Sequence, residues 1–334
     1  MPIFGGVLRF RRKGYAAPGL CLAAFLAAGL HGQVIKLATL APQGSSWHEL
    51  LMEMGQEWER QTAGELTLRI YPGGVAGDER DMIRKMQIGQ IHAAVISVEG
   101  LGELSPSMKV FYVPLMVESF QQLAAIQSDL FPVVAGELED NGIKLLSWLN
   151  IGWVYLFSRD RVATPDDLRK MKIFSWAGNY HSVELWRKAG FHPVPLAFTD
   201  VLPALQTRMI DAVSGLPLVV LGYQWFALAP HMLNLRWIPV TVGLVMNGNV
   251  WASIPEDRRQ VILNGIHQGE KRAGDLISEA RKAVDVMKQH GLQVHDLDPG
   301  ERKLWEEMTR EMYPLIRGRM VPAEIFDRVV KVKP

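Results

Sequence analysis

Apolar and polar positions alternate along the chain in blocks that predict strands and helices in turn. The run 35–40 is a short apolar strand, and residues 66–70 alternate apolar and polar as a half-buried strand does. A helical spacing lies between them and is set by Trp47, Leu51, Met54 and Trp58. A second helical pattern at 78–87 leads into an apolar strand at 93–98. This βαβαβ order predicts a parallel α/β layer.

The same alternation resumes after residue 143 and predicts a second α/β series. Its strands are expected at 143–148, 154–157, 172–174 and 212–214. Thr164 and Pro165 mark a helix start, because a capping side chain is followed by proline at the first helical position. A helical period then runs over 255–290, which corresponds to roughly 50 Å at about 1.5 Å per residue. A helix of that length can brace two domains.

The N-terminal region has the pattern of a secretory signal peptide over residues 1–32. Four basic residues at positions 9–13 precede an apolar stretch from Ala16 to Leu30 that ends among small residues. About 15 apolar residues are fewer than the ~20 that span a bilayer, so we expect cleavage near Gly32 and no membrane insertion of the mature protein. Cys21, the only cysteine, lies in this stretch, so the mature body would have no thiol. The predicted location is the periplasm.

Composition and charge narrow the range of functions. The chain has 334 residues and 48% hydrophobic composition, which suits two domains with sizeable cores. Loss of the four basic residues of the leader would take the formal net charge from +1 to −3. A mildly acidic body without a basic cluster argues against a nucleic-acid partner.

The sequence contains no motif that predicts catalysis, a metal or a cofactor. It lacks the common spacings of nucleophile elbows, zinc proteases, phosphate-binding loops and dinucleotide-binding turns. His48, His92 and His181 are interpreted as structural residues, since none has a second ligand at a convincing interval. We therefore expect neither metal nor cofactor, and no enzymatic activity.

Aromatic residues cluster near the ends of the predicted strands. The set consists of Trp148, Trp153, Tyr155, Phe174, Trp176 and Phe198. Each one alone is typical of a core, but α/β sheets bind ligands outside the carboxyl ends of their strands. As a group these residues favour a ligand cleft.

From about Val34 onward the chain resembles the substrate-binding subunits of TRAP transporters, the DctP-like family. Five segments match in order: ELTLRIYPGGVAG at 65–77, QIG at 87–89, TPDDLRKMKI at 164–173, PVPLAFTDVLPALQTRMID at 193–211, and the stretch 245–258 that leads into the long helix. The block at 193–211 is the most specific of these. It resembles the family block "PvPmafsEvy-ALQtGvvDg", and a short helix is expected there from Thr199 through Gln206.

The resemblance implies an α/β, two-domain, periplasmic-binding-protein-like fold of the class II type, with an interdomain cleft, hinge strands and a long helix in the C-terminal region. Domain I is expected at 33–151 with about 240–270, and domain II at 152–239. The long helix at 255–290 would brace both domains, and 291–334 would be a C-terminal helical segment. The implied partners are a small-molecule ligand and the small and large membrane subunits of the permease.

The family's carboxylate clamp is an Arg directly after the "lKi" strand, and here that position is Phe174. Other family contacts for anionic ligands correspond to Val154, to Gly215 or Leu216, and to Ser97. A buried carboxylate without its cation is costly, so we predict an uncharged, aromatic or otherwise apolar ligand. The predicted ligand-binding residues are Leu40, Ala41, Ser97, Trp153, Tyr155, Phe174, Trp176, Asn179, Phe198 and Gly215.

Three alternatives stay open at this point. A different Arg could restore a carboxylate clamp, the candidates being Arg159, Arg161, Arg187 and Arg208. The protein could be a ligand sensor or scavenger of the same fold that presents its closed form to a receptor. An enzyme on this scaffold would need a titratable pair poised in the cleft, and no such pair stands out in the sequence.

Overall fold

The structure is a computed structural model that describes residues 32–177 and 180–332, without the side chains of 273–281. The predicted signal peptide, except Gly32, and the ligand residue Asn179 therefore lie outside the described residues.

Eleven strands are described in this part of the chain. They are β1 (Gln33–Thr39), β2 (Leu66–Tyr71), β3 (Ala93–Ser97), β4 (Ile143–Trp153), β5 (Tyr155–Ser158), β6 (Lys172–Trp176), β7 (His192–Leu196), β8 (Ala212–Gly215), β9 (His231–Leu233), β10 (Pro239–Asn247) and β11 (Gln293–His295).

The described helices alternate with these strands over most of the chain. The α-helices are α1 (Ser46–Gln61), α2 (Glu79–Gln87), α3 (Val98–Leu101), α4 (Phe120–Asp140), α5 (Pro165–Arg169), α6 (Tyr180–Lys188), α7 (Val201–Gln206), α8 (Pro217–Gly222), α9 (Gly248–Ser253), α10 (Glu256–Gln289), α11 (Pro299–Ile316) and α12 (Ala323–Val330). Short 3-10 helices occur at Pro106–Tyr112, Phe198–Asp200 and Trp225–Ala227.

The strands form two separate sheets. The first has the order β2-β1-β3-β10-β4, and the second has the order β11-β9-β5-β8-β6-β7. We call the first sheet with α1 to α4 the first lobe, and the second sheet with α5 to α8 the second lobe. In the first lobe β1 runs parallel to β2 and β3, while β10 is antiparallel to β3 and β4. The predicted α/β layers are therefore present in both lobes, but β4, expected as the first strand of the second series, belongs to the first sheet because it pairs with β10.

The chain crosses between the lobes at two adjacent places. It leaves the first sheet after β4 and returns to it at β10. The crossings are hydrogen-bonded to each other, since the Val154 amide donates to the Ile238 carbonyl and the Trp237 amide donates to the Val154 carbonyl, both at 2.9 Å. A pair of crossing segments of this kind is a natural hinge. The residue limits assigned to domains I and II stay a prediction.

The long helix α10 packs against both lobes. Near its start, Ile262 and Ile266 are buried in a cluster with Trp58 of α1. Near its end, Met287 is buried among core residues of the second lobe. Residues 291–334 were predicted to be helical. Instead, β11 first adds a strand to the edge of the second sheet, and the helices α11 and α12 follow it.

A bulge in β4 sets the direction of the side chains near the first crossing. The register with β10 shifts between Val240 and Thr241, which pair with Gly152 and Asn150, so Ile151 has no direct partner. Gly152 adopts a φ of 133°, a conformation that favours glycine. A bulge interrupts the strict alternation of side chains, and residues on either side of it no longer follow one face.

Candidate functional site

A deep cleft is lined by residues of both lobes. It encloses about 1620 Å³ of space, counting the solvent at its open mouth. The carboxyl ends of β1, β3, β6 and β8 contribute Leu40, Ser97, Trp176 and Gly215 to its walls. Strand ends of α/β sheets are where such folds bind ligands.

The second lobe contributes an aromatic wall. Phe174 and Trp176 lie on β6 with ring centroids 5.8 Å apart, and Trp176 stacks on Phe198 at 5.4 Å. Tyr223 and Trp225 support Phe198 from behind, at 5.4 Å and 5.1 Å. The result is a continuous aromatic surface whose position is fixed by packing.

The structure brings most of the predicted site residues together. Those that line the cleft are Leu40, Ala41, Ser97, Phe174, Trp176, Phe198 and Gly215. Trp153 does not belong to the lining, because the bulge at Ile151 turns the chain and leaves Trp153 buried against Phe120, with ring centroids 5.3 Å apart. Tyr155 does not line the cleft either.

Tyr155 is excluded by strand alternation. Phe157, two residues further along β5, is a core residue of the second lobe, and Tyr155 packs against the same cluster. The preceding residue, Val154, lines the cleft instead. Tyr155 is therefore directed into the core of the second lobe, while Val154, in the connection before β5, faces the cleft.

No Lys, Arg or His occurs among the described residues that line the cleft, whose charged side chains are Glu79 and Glu99. The four arginines considered above lie elsewhere. Arg159 is partly buried and donates to the Leu205 carbonyl at 2.8 Å. Arg161, Arg187 and Arg208 are exposed. In the described structure none of the four reaches the cleft wall.

The Glu79 carboxylate is buried and holds the turn after β3. It accepts hydrogen bonds from the Ser97 amide at 2.8 Å, the Ser97 hydroxyl at 2.7 Å and the Gly100 amide at 3.0 Å. Burial raises the pKa of Glu79 from 4.5 to about 7, although the bonds from Ser97 oppose the shift. Ser97 therefore lines the cleft while its amide and hydroxyl both donate hydrogen bonds to Glu79.

Tyr112 and Glu99 form a second polar group at the same end of the cleft. The two side chains are hydrogen-bonded, and burial, followed by the nearby charges of Glu99 and Glu79, raises the pKa of Tyr112 well above its ordinary value. The phenol therefore stays protonated. This polar end presents carboxyl and phenol oxygens as hydrogen-bond acceptors, which suits a ligand with hydroxyl or amide donors.

Several lining residues were not identified from the sequence. They are Trp47, Glu79, Glu99, Tyr112, Trp186 and Trp237. Trp47 follows the turn after β1, and this position next to a strand end was the feature of the sequence from which its place in the cleft could have been predicted. Trp237 lies in the returning crossing between the lobes, which has no motif of its own.

The lobes contact each other directly beside the cleft. The hydroxyl of Tyr223, which directly follows α8, donates to the Leu40 carbonyl after β1 at 3.0 Å. The Phe198 amide donates to an Asp78 carboxylate oxygen at 3.4 Å. Burial raises the pKa of Tyr223 to about 12, so this hydroxyl remains a donor across the neutral range. These bonds connect the two lobes in the conformation described.

No described helix is long and apolar enough to cross a membrane. The described side chains include no group of three or more His, Cys, Asp or Glu residues placed to hold a metal ion.

Two α/β lobes, a paired crossing and a cleft at the strand ends define a two-domain solute-binding protein. The family model for bacterial extracellular solute-binding proteins, family 7 (DctP), matches residues 37–317. The chain belongs to this family, which comprises the substrate-binding subunits of TRAP transporters. The family resemblance and the periplasmic-binding-protein fold are thereby confirmed, and the protein is a TRAP-type extracytoplasmic solute-binding protein.

Characterised relatives cover most of the chain at low identity. The 2,3-diketo-L-gulonate-binding periplasmic protein of Escherichia coli is 26% identical over 298 residues, which is 87% of this chain and 90% of that protein. The C4-dicarboxylate-binding periplasmic protein of Rhodobacter capsulatus is 22% identical over 266 residues, 78% of this chain and 80% of that one.

Solved structures of the same architecture superpose closely. A TRAP periplasmic solute-binding protein from Citrobacter koseri with bound D-glucuronate has a TM-score of 0.80 at 24% identity, covering 90% of this chain and 100% of that one. One from Shewanella oneidensis with bound succinate has a TM-score of 0.85 at 16% identity, covering 91% and 100%.

Proposed function

We propose that this protein captures a small uncharged ligand with an aromatic or apolar body and delivers it to the membrane subunits of a TRAP-type transporter. One observation carries the choice of ligand. Among the described residues, the cleft has mainly apolar and aromatic walls with several Ser and Thr side chains, two Glu side chains and no cationic side chain.

Electrostatics oppose a carboxylate ligand in such a cleft. Moving a carboxylate out of water costs several kcal/mol unless a cation and hydrogen bonds replace its hydration. Here no described lining residue offers that cation, and Glu79 and Glu99 would add repulsion wherever they are ionised. A neutral ligand avoids both costs.

The relatives named above bind acids, and this chain departs from the family pattern where a carboxylate clamp is expected. Phe174 stands where the family resemblance implies an Arg, and it is buried in the cleft wall beside Trp176. An aromatic ring cannot donate the paired hydrogen bonds that an Arg gives to a carboxylate. The competing hypothesis is that the cleft binds an acid through hydrogen-bond donors other than an Arg, and the acid ligands of the relatives favour it.

The aromatic wall fits a flat or apolar ligand body. Phe174, Trp176 and Phe198 offer ring faces whose stacking contributes about 0.5–1.5 kcal/mol per aromatic pair beyond burial. We assign ligand contact to these three and to Leu40, Ala41, Ser97, Asn179 and Gly215. Glu99 and Tyr112 would receive the ligand's polar donors at the opposite wall.

The remaining parts of the proposal follow from the family. Residues 1–32 would direct export to the periplasm and be removed there. The closed form with bound ligand would dock on the small and large membrane subunits. The boundaries between domains I and II would lie near residues 151 and 239. Uptake into proteoliposomes containing both membrane subunits should then require this protein, and uptake that does not depend on it would contradict the assignment.

Reciprocal variants at position 174 test the ligand class. Thermal shifts of the mature protein would be measured with D-glucuronate and succinate in one panel and neutral aromatic compounds in the other. A tight ligand at 100 times its Kd adds ~2.7 kcal/mol of stability. We expect stabilisation by neutral compounds, its loss in Phe174→Ala, and a gain of carboxylate binding in Phe174→Arg.

Phe131→Ala is the matched control, since Phe131 lies on α4, is partly exposed and does not line the cleft. This control should keep the ligand response of the unaltered protein. Tight binding of D-glucuronate or succinate by the unaltered protein would overturn the neutral-ligand proposal and leave the family assignment intact.

A further inference from the structure

A second cavity lies inside the second lobe, directly behind the wall of the cleft. Its walls come from β5, β6, β8, α5, α6, α11 and the segment that begins at β9. Leu168, Leu235 and Trp305 line this inner cavity and do not line the cleft. Its inner wall is therefore separate from the site described above.

The inner cavity and the cleft share part of their boundary. Trp186, Ser214 and Trp237 line both spaces. The two indole rings stack on each other with centroids 5.9 Å apart and planes inclined by 26°. They therefore form a partition between the cleft and the inner cavity, and a ligand group that passes this partition enters the second lobe.

The chemistry of the inner cavity suits an apolar group rather than water. Its lining is aliphatic and aromatic, and the Ser214 hydroxyl is the exception. A buried water needs two to four polar partners, which this lining does not supply. The cavity volume is about 20 Å³, which is room for a small alkyl group.

The far side of the cavity is held in place by specific contacts. The Trp305 indole N–H donates to the Ala163 carbonyl at 2.8 Å, and its ring meets the Trp237 ring edge-on at 5.6 Å. The Leu115 amide donates to the Trp237 carbonyl at 3.0 Å. Since Trp237 lies on the returning crossing between the lobes, the partition is attached to that crossing.

We infer that the inner cavity is a subsite of the cleft that takes a short apolar branch, of methyl to ethyl size, from the bound ligand. This inference rests on the proposed function to the extent that the ligand has an apolar body. The subsite would select among ligands with the same polar groups by the length of that branch.

Xenon and a series of alkylbenzenes test the subsite without knowledge of the natural ligand. Xenon binding would be followed by ¹²⁹Xe NMR, and benzene, toluene, ethylbenzene and propylbenzene would be titrated by calorimetry. Each methylene that enters the cavity should tighten binding about fourfold. We expect saturable xenon binding and an affinity that stops rising near ethylbenzene.

Leu235→Ala enlarges the inner cavity without altering a residue of the cleft lining. It should strengthen xenon binding and extend the rise in affinity to propylbenzene. Leu304→Ala is the matched control, because Leu304 lies on α11, is 46% exposed and lines neither space, so its truncation leaves no buried cavity for xenon or benzene. Thermal unfolding of both variants checks that each remains folded.

The outcomes separate this inference from the proposed function. Absence of saturable xenon binding, or identical alkylbenzene profiles for Leu235→Ala and Leu304→Ala, overturns the subsite even where neutral ligands bind the cleft. A cleft that accepts only acids, together with xenon binding that depends on Leu235, overturns the neutral-ligand proposal and supports the subsite.

Discussion

The bond from Tyr223 to Leu40 offers a direct way to measure how contacts between the lobes contribute to ligand affinity. The substitution Tyr223→Phe removes one hydroxyl and keeps the ring, which packs against Phe198 and Trp225. Tyr223 is not a lining residue of the cleft. A change in affinity would therefore come from closure rather than from lost ligand contact.

The magnitude follows from the geometry of this bond. At 3.0 Å between Tyr223 Oη and the Leu40 oxygen it has ordinary length, and a net hydrogen bond contributes about 0.5–1.5 kcal/mol. If the bond forms only on closure, its loss should weaken ligand binding by roughly 2- to 13-fold. The high pKa of Tyr223, about 12, predicts the same loss at pH 6 and pH 9.

The assay is isothermal calorimetry with the tightest neutral compound of the panel, combined with small-angle scattering of the free and loaded protein. Tyr71→Phe is the matched control, because Tyr71 lies on β2 and does not line the cleft. Equal affinities of the Tyr223→Phe and Tyr71→Phe proteins would refute the role assigned to this bond in closure.

Two further predictions concern stability. Burial raises the pKa of Glu79 from 4.5 to about 7, so its contribution to the free energy of unfolding is fully present below pH 4.5 and is lost as the pH rises through 7. This loss amounts to about 3 kcal/mol and should be absent from Glu79→Gln when urea unfolding is compared at pH 5 and pH 8. An unchanged pH dependence of stability in this variant would contradict the role of Glu79. Gly265→Ala should lower the free energy of unfolding by about 1–3 kcal/mol, because the added Cβ would lie 2.6 Å from Trp58 Nε1. Gly136→Ala in α4 should raise it by up to ~1 kcal/mol, because the added Cβ would have no atom within 4 Å. Thermal melts that rank these two variants in the opposite order would contradict this packing.

The order of strands and helices from β1 to β3, and the strands β4, β5, β6 and β8, were readable from the sequence because their apolar runs and helical periods have few alternative structures. Phe174 could also be placed, since the segment 164–173 fixes the register of the strand that carries it. The sequence analysis did not identify α4, β7, β9, β10 or β11, and in β9 and β11 three residues give too few apolar positions to produce a pattern.

The direction of individual side chains was the limit of sequence reasoning at the site. Trp153 was expected in the cleft on its aromatic character alone, but the bulge at Ile151 and the positive φ of Gly152 depend on pairing with β10, almost ninety residues away. The roles of Glu79 and Glu99 could not be foreseen for the same reason. Their places in the wall depend on the fold around α3, and no local motif marks them.

Native mass spectrometry of the mature protein, with whatever molecule it retains through purification, tests most directly whether this cleft holds an uncharged ligand. We expect a neutral compound with an aromatic or apolar body, which the neutral compounds of the panel displace. A retained sugar acid or dicarboxylate, released only by other acids, would contradict it.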